Sequence, residues 1–417
     1  MVRINWKKYS KDTEIINLED SNITCMNWRG CPPGLTKIIL RNNKIKKMNW
    51  KGCPQSLTSI TLSTNLLTDI VWEDCPLGLI EINLAKNFII KMKLEGCPPK
   101  LNMFILRDNC ITEMNWKGSP SGITMVCLEN NKIKNIVWED CPSSLFRIYL
   151  IDNLITELNW KGCPQNLGII RLDNNKITTM AWEDCLSSLA KIYLSNNSIT
   201  NMNWKGCPSG LFKINLERNR ITDIVWERCP KKLKFIYLNN NYIKKMNWKG
   251  SPPGLNIIEL NHNEINEMNW KGCPPELNSI DLRENIIMKL NWEGCPPGPT
   301  DISLDNNPIT ELNWKYISWN FYFLFYEYLN DKYDEYKESR NNIPDLPYQC
   351  MTDEHKEFIS ELIDVLHLPP LLPEIGHNGR AGDCEIDSPY YKYPLYKNGG
   401  VAYKEAMEEL TRSIYHK

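Results

Sequence analysis

The chain has 417 residues, with 49 Lys and Arg against 50 Asp and Glu, for a formal charge of -1. That balance argues against a specialist in nucleic acid or membrane surfaces, and a hydrophobic fraction of 42% excludes wholesale disorder. The opening residues, MVRINWKKYS, are followed by no apolar stretch or small-residue cleavage site, so no secretory signal is expected. The most apolar run, Ile317 to Leu329, contains Asn320 and Glu327 and falls short of the ~20 residues that cross a bilayer. Sixteen cysteines spread through a long chain without an export signal point to reduced thiols in an intracellular, cytosol-like compartment.

From the N-terminus onward, tryptophan supplies a ruler. Trp6, Trp28, Trp50 and Trp72 begin a 22-residue grid that runs to Trp314, with Leu94 filling its one gap and Trp319 alone falling off it. Twelve residues after each grid position from Trp6 to Trp292 stands a leucine, from Leu18 to Leu304. Three further on stands asparagine, from Asn43 to Asn307, with Ser21 the one departure. An isoleucine column follows two residues later, broken only by Leu67. A single insertion would have disrupted every column.

Each unit reads L-x-x-I-x-L-x-x-N-x-I-x-x-M-N-W-K-G-C-P-x-x, most clearly over Leu35 to Ser56. The pattern resembles the leucine-rich repeat family, whose hallmark is L-x-x-L-x-L-x-x-N-x-L. The resemblance covers residues 1 to about 314. The Pro-x-x-Leu lead-in, Pro32 to Leu35, is also similar to bacterial leucine-rich repeats and to the FNIP repeats of amoebal and giant-virus proteins, although the Trp and Cys columns differ from both.

The alternation Ile38-x-Leu40 points two side chains to one side of a short strand and leaves Lys37, Ile39 and Arg41 on the other. Stacked coils pair such strands in parallel and bury a core that no single repeat could bury alone. The expected fold is therefore a right-handed leucine-rich repeat solenoid with a curved parallel β-sheet on its concave face. Gly52 and Pro54 in the return segment predict an extended or 3-10 convex side with little α-helix. The asparagine column is expected to satisfy backbone groups where the chain turns. Eleven cysteines lie three residues after grid positions, with Ser119 and Ser251 in two others, and read as small buried hydrophobes. Charges alternate immediately after the grid residue, Glu95, Lys117, Glu139, Lys161 through to Lys249, so neighbouring coils should attract modestly there. The same alternation exposes a 44-residue double unit.

Domain boundaries follow from where the grid degenerates. Residues 1–26 read as an N-terminal capping repeat, with Tyr9 in the cysteine column and Thr13 in a leucine column, and residues 27–314 form the array. Residues 315–342 are predicted to form an aromatic capping helix, and residues 343–417 a small acidic region of helices and loops. From Lys315 the tail holds 11 basic and 18 acidic residues, net -7, against +6 for the repeats. An acidic tail beside a mildly basic solenoid is the result.

Strong catalytic motifs are absent: no GxxxxGK[ST], HExxH or GxSxG occurs. The tail's His355, His367, His377, Cys350 and Cys384 match no common zinc spacing. Some bacterial effectors carry a ubiquitin ligase after leucine-rich repeats, built around a Cys-x-Asp centre. Here Cys384 is followed by Glu385, Ile386 and Asp387, which departs from that spacing. No catalytic residue, metal or cofactor is assigned.

Proteins of the resembling family bind macromolecules on the concave sheet. In this sequence the column between the inward Ile and Leu supplies Tyr149, Arg171, Tyr193, Asn215 and Tyr237, and the adjacent outward column Arg147, Lys191, Lys213 and Phe235. Tyrosine and arginine are enriched in interface hot spots, so Arg147, Tyr149, Arg171, Lys191, Tyr193, Lys213, Phe235 and Tyr237 are the candidate partner-binding residues. Toward the C-terminus the same face turns acidic through Glu259, Asp281, Asp301 and Asp305. The expectation is a non-enzymatic scaffold that recognises an unidentified protein, with neither nucleic acid nor membrane as partner. The alternatives are an assembly component, for example of a virion, and a ligase-type effector acting through the tail.

Overall fold

A computed structural model describes residues 4–185, 188–295, 301–309 and 311–313. The chain divides into two units, Met1–Asp353 and Glu354–Lys417, and all described residues fall in the first. The sequence-predicted C-terminal elements lie outside them.

The period of 22 becomes geometry directly. A 14-stranded parallel sheet is built from one three-residue strand per coil, from Ile15–Asn17 through Lys37–Ile39 to Asp301–Ser303. Equal positions pair with equal positions: Ile16 faces Ile38, Ile38 faces Ile60, and Ile258 faces Ile280. Because side chains alternate along a strand, the central residue of each triplet, isoleucine except at Phe104 and Val126, points inward and is buried, while its two neighbours line the opposite face. The return limb is extended, as the glycine and proline content predicts. Among the described residues it carries a three-stranded parallel ladder of Glu267–Met268, Lys289–Asn291 and Glu311–Asn313, and isolated parallel bridges at Met92–Met114 and Lys245–Glu267. Among described residues the single 3-10 turn is Trp6–Lys8, and no helix is long and apolar enough to cross a membrane.

Two side-chain ladders lock the coils together. Asn175 donates through Nδ2 to Leu150 O, Leu172 O and Asp173 O at 2.9, 3.0 and 3.2 Å, while its Oδ1 accepts from Ile155 N at 3.0 Å. The same four contacts recur at Asn65, Asn131 and Asn241. One amide thus saturates carbonyls of two coils and an N–H that no strand could reach, which is the role the column's regularity implies.

The tryptophans form the second ladder. Trp28 Nε1 donates to Asn49 O at 2.7 Å and Trp182 Nε1 to Asn203 O at 2.6 Å, in each case the carbonyl just before the next tryptophan. The rings stack along the coil axis, Trp160 on Trp182 at 6.1 Å and Trp270 on Trp292 at 5.6 Å. Burying such large rings removes much apolar surface from water, and the N–H satisfied by the next coil makes that burial register-specific.

Leu94, the gap in this column, has its compensation in the same coil. The inward strand position there is Phe104 instead of the usual isoleucine, it is buried, and its ring meets Trp72 edge-on at 6.3 Å. Phe104→Ile is therefore expected to lower the unfolding free energy by about 1–2 kcal/mol through the volume left empty. Adding Leu94→Trp should recover most of the loss. Urea unfolding checks both, and purely additive losses would contradict the pairing.

The alternating surface charges behave less regularly than their spacing suggests. Lys117 pairs with Glu95 at 3.4 Å, and no other neighbouring pair of that column forms an ion pair among the described residues. Exposed pairs gain too little to immobilise two long side chains.

Candidate partner-binding face

Five consecutive strands carry the candidate residues: Arg147–Tyr149, Ile169–Arg171, Lys191–Tyr193, Lys213–Asn215 and Phe235–Tyr237. Register aligns them in two rows on the side of the sheet away from the core. One row runs Arg147, Ile169, Lys191, Lys213, Phe235; the other runs Tyr149, Arg171, Tyr193, Asn215, Tyr237. All eight sequence-predicted residues come together, over about 19 Å at ~4.8 Å per strand.

Their chemistry is interlocked. Lys213 Nζ lies 4.4 Å from the Tyr237 ring centre and 5.6 Å from that of Tyr193, and it meets the Tyr237 hydroxyl at 3.3 Å. Arg171 stacks over Tyr193 at 5.0 Å, and its Nε donates to Asp173 Oδ2 at 3.0 Å. Asp173 also accepts from the Ser195 hydroxyl at 2.6 Å. Arg171 is thus neutralised within the chain, whereas Lys213 is held by rings and keeps its charge.

Several contributors escape the two-column reading. Phe146 and Phe212 sit one residue before their strands. Arg147 stacks over Phe146 at 5.4 Å, and Phe212 meets Phe235 edge-on at 4.9 Å. Phe146 lies so close over Gly168 that a Cβ there would stand 2.3 Å from the ring. Both phenylalanines occupy a column that elsewhere holds residues as varied as Thr36, Ile80, Asn102, Gly168 and Lys234, so no repeat pattern marked them. The column after the inward leucine adds Glu129, Asp173, Glu217 and Asn239. Asn239 Nδ2 donates to Glu259 Oε2 at 2.6 Å and to Glu217 Oε1 at 3.4 Å.

Burial tunes these groups. It raises Glu259 above the ordinary carboxylate range, and Asp281 and Glu217 add to the effect. Tyr237 is raised by burial and then by Glu259 and Glu217. Burial also pushes Asp281 up, but hydrogen bonds from Arg283 and Asn261 bring it below its usual value overall. Glu129 is raised by burial, and its Oε2 is enclosed without a hydrogen-bond partner. No group of three His, Cys, Asp or Glu able to hold a metal occurs among the described residues.

In sequence, no protein-family model and no curated protein matches the chain. Solved structures do resemble it. The functional domain of InlJ from Listeria monocytogenes, which includes a cysteine ladder, is 21% identical at a TM-score of 0.55, covering 72% of this chain and 65% of that one. The match therefore reaches less than two thirds of the InlJ chain. YopM, a leucine-rich effector protein from Yersinia pestis, is 19% identical at 0.54, covering 73% and 87%. The LRIM1/APL1C complex is 15% identical at 0.58, covering 82% and 70%. The chain has the leucine-rich repeat fold.

Proposed function

We propose that the chain is a non-enzymatic interaction scaffold that recognises a protein partner on the outer face of its long sheet. The observation that carries this reading is the concentration of Phe146, Tyr149, Tyr193, Phe212, Phe235 and Tyr237 with four cations on five adjacent strands. Rigid aromatic surface flanked by oriented charge is the composition of interface hot spots. The fold supports it, since the similar LRIM1/APL1C structure is itself a complex. The reading includes a reducing, intracellular setting, which rests on sixteen cysteines spread through a long chain. The finer likeness to FNIP-type repeats rests on the sequence pattern.

A photoreactive amino acid placed at Tyr149 should crosslink a discrete protein from cell extract, and one at Glu183 on the return limb should not. Tyr193→Ala with Tyr237→Ala should weaken capture at least about thirtyfold, the size of a hot-spot loss of ~2 kcal/mol. Equal crosslinking from both positions, or capture unchanged by the tyrosine substitutions, would remove the sheet face as the recognition surface.

A further inference from the structure

The sheet face changes character in three steps along the stacking axis. Over the strands Met103–Ile105 and Met125–Cys127 the strand residues are apolar, Met103, Ile105 and Met125 with Cys127 buried beside them, and one cation, Arg107, and one carboxylate, Glu129, follow in the next column. Next comes the aromatic and cationic zone around Arg147, Lys191 and Lys213. Last, over Ile257–Glu259 to Asp301–Ser303, come Glu259, Asp281, Asp301 and Asp305, an excess of acid over the single cation Arg283, which pairs with Asp281.

In the second and third zones several charges are oriented without being neutralised. Arg147 and Lys213 rest on aromatic rings, and neither they nor Lys191 form an ion pair with a described residue. Three carboxylates are held by neutral donors, Glu217 by Asn215 and Asn239, Glu259 by Asn239, and Asp301 by the Ser279 hydroxyl at 3.0 Å, whereas Asp173 and Asp281 are paired with Arg171 and Arg283. Desolvating an unanswered charge is unfavourable, so such a surface gains most from a partner that supplies the opposite sign at each position. Fixing the side chains beforehand reduces what binding loses in entropy.

We infer that the occupant of this face is an elongated protein segment whose side chains run apolar, then acidic, then basic along the coil axis. The inference rests on the protein-recognition reading above and specifies the partner's chemistry. Nine strand steps separate Met103 from Asp301, about 43 Å, which an extended segment of ~13 residues covers. The order of three unlike blocks fixes the pose whichever way the partner's backbone runs.

Two fluorescein-labelled synthetic peptides of identical composition test this. One joins a Leu/Met block, an Asp/Glu block and a Lys/Arg block through single glycines; the other exchanges the two charged blocks. Reversing the direction of either peptide does not convert it into the other. By fluorescence anisotropy with the full chain, the first should bind at least about tenfold more tightly. Lys191→Glu combined with Glu259→Lys should invert that preference, and Arg147→Glu with Asp301→Lys should do the same from the zones' outer residues. Equal binding of the two peptides, binding by neither, or a preference untouched in folded variants would overturn the inference. If the order fails while Tyr193→Ala with Tyr237→Ala still abolishes partner capture, recognition by the sheet face stands and only the partner's charge order is wrong.

Discussion

Asn175→Ala is expected to lower the unfolding free energy by about 2–3 kcal/mol, whereas Lys176→Ala beside it should stay within ~0.5 kcal/mol. The contrast lies in what the two side chains are bonded to. Lys176 is exposed, while Asn175 is buried and answers one N–H and three carbonyls in two coils. Leu150 O, Leu172 O and Asp173 O each keep a second donor, from Asn153, Asn197 and Asp152 N, so the substitution orphans the buried Ile155 N, at a cost of ~1–3 kcal/mol, and removes the packing of the amide. The loss propagates, because a solenoid's stability is a sum of coil and nearest-neighbour terms and a failed contact uncouples both sides. Asn175→Asp should fall between, keeping the acceptor for Ile155 N but bringing carboxylate oxygens against carbonyls. Urea unfolding of the three variants checks the ranking, and a mild effect of Asn175→Ala would show that the amide ladder is incidental.

The second large effect is pH-dependent. Burial pushes the thiols of Cys75, Cys163 and Cys295 up to about 12 and raises Cys53, Cys97, Cys141, Cys207, Cys229 and Cys273 further. An unfolded thiol ionises near ~8.5. Above that pH the unfolded chain releases protons that the folded chain retains, so stability is fully present below ~8.5 and declines as pH rises toward the folded values. Each of the buried thiols Cys53, Cys75 and Cys163 loses on the order of 1 kcal/mol by pH ~9.5, the six partly exposed ones lose less, and together they should lower the stability of the array at mildly alkaline pH. The triple variant Cys53→Ser, Cys75→Ser, Cys97→Ser uses the residue that Ser119 and Ser251 already place in this column. It should be no more stable than the parent at neutral pH yet more stable near pH ~9.5. Urea midpoints measured across that range test the crossover, and parallel curves would show that the thiols do not govern alkaline unfolding.

Much of this structure was legible beforehand because columns in a strict repeat become neighbours in space. Ile38 and Leu40 gave the buried side of the strand, Gly52 and Pro54 the helix-free return, and Tyr149, Tyr193 and Tyr237 the face on which they meet. What remained hidden depends on reach and not on position. Periodicity places Arg171 and Lys213 on the same surface. It does not reveal that Asp173 neutralises one while two tyrosine rings hold the other without discharging it. Nothing in the columns distinguishes Phe104 from Val126, the other departure from isoleucine at the inward strand position, because the contact of its ring with Trp72 depends on the coil that lacks tryptophan. Phe146 and Phe212 were visible as letters, but the column before the strand carries no fixed pattern that would mark them.

Deleting one whole coil, residues 160–181, and comparing it with a deletion of residues 160–180 tests the register of the array most directly. With 22 residues removed, every remaining column still stacks, so near-UV circular dichroism and a cooperative urea transition should persist with slightly reduced stability. Removing one residue fewer shifts every later tryptophan and asparagine off its partner, and the transition should broaden or vanish. Identical behaviour of the two deletions would contradict the stacked 22-residue architecture.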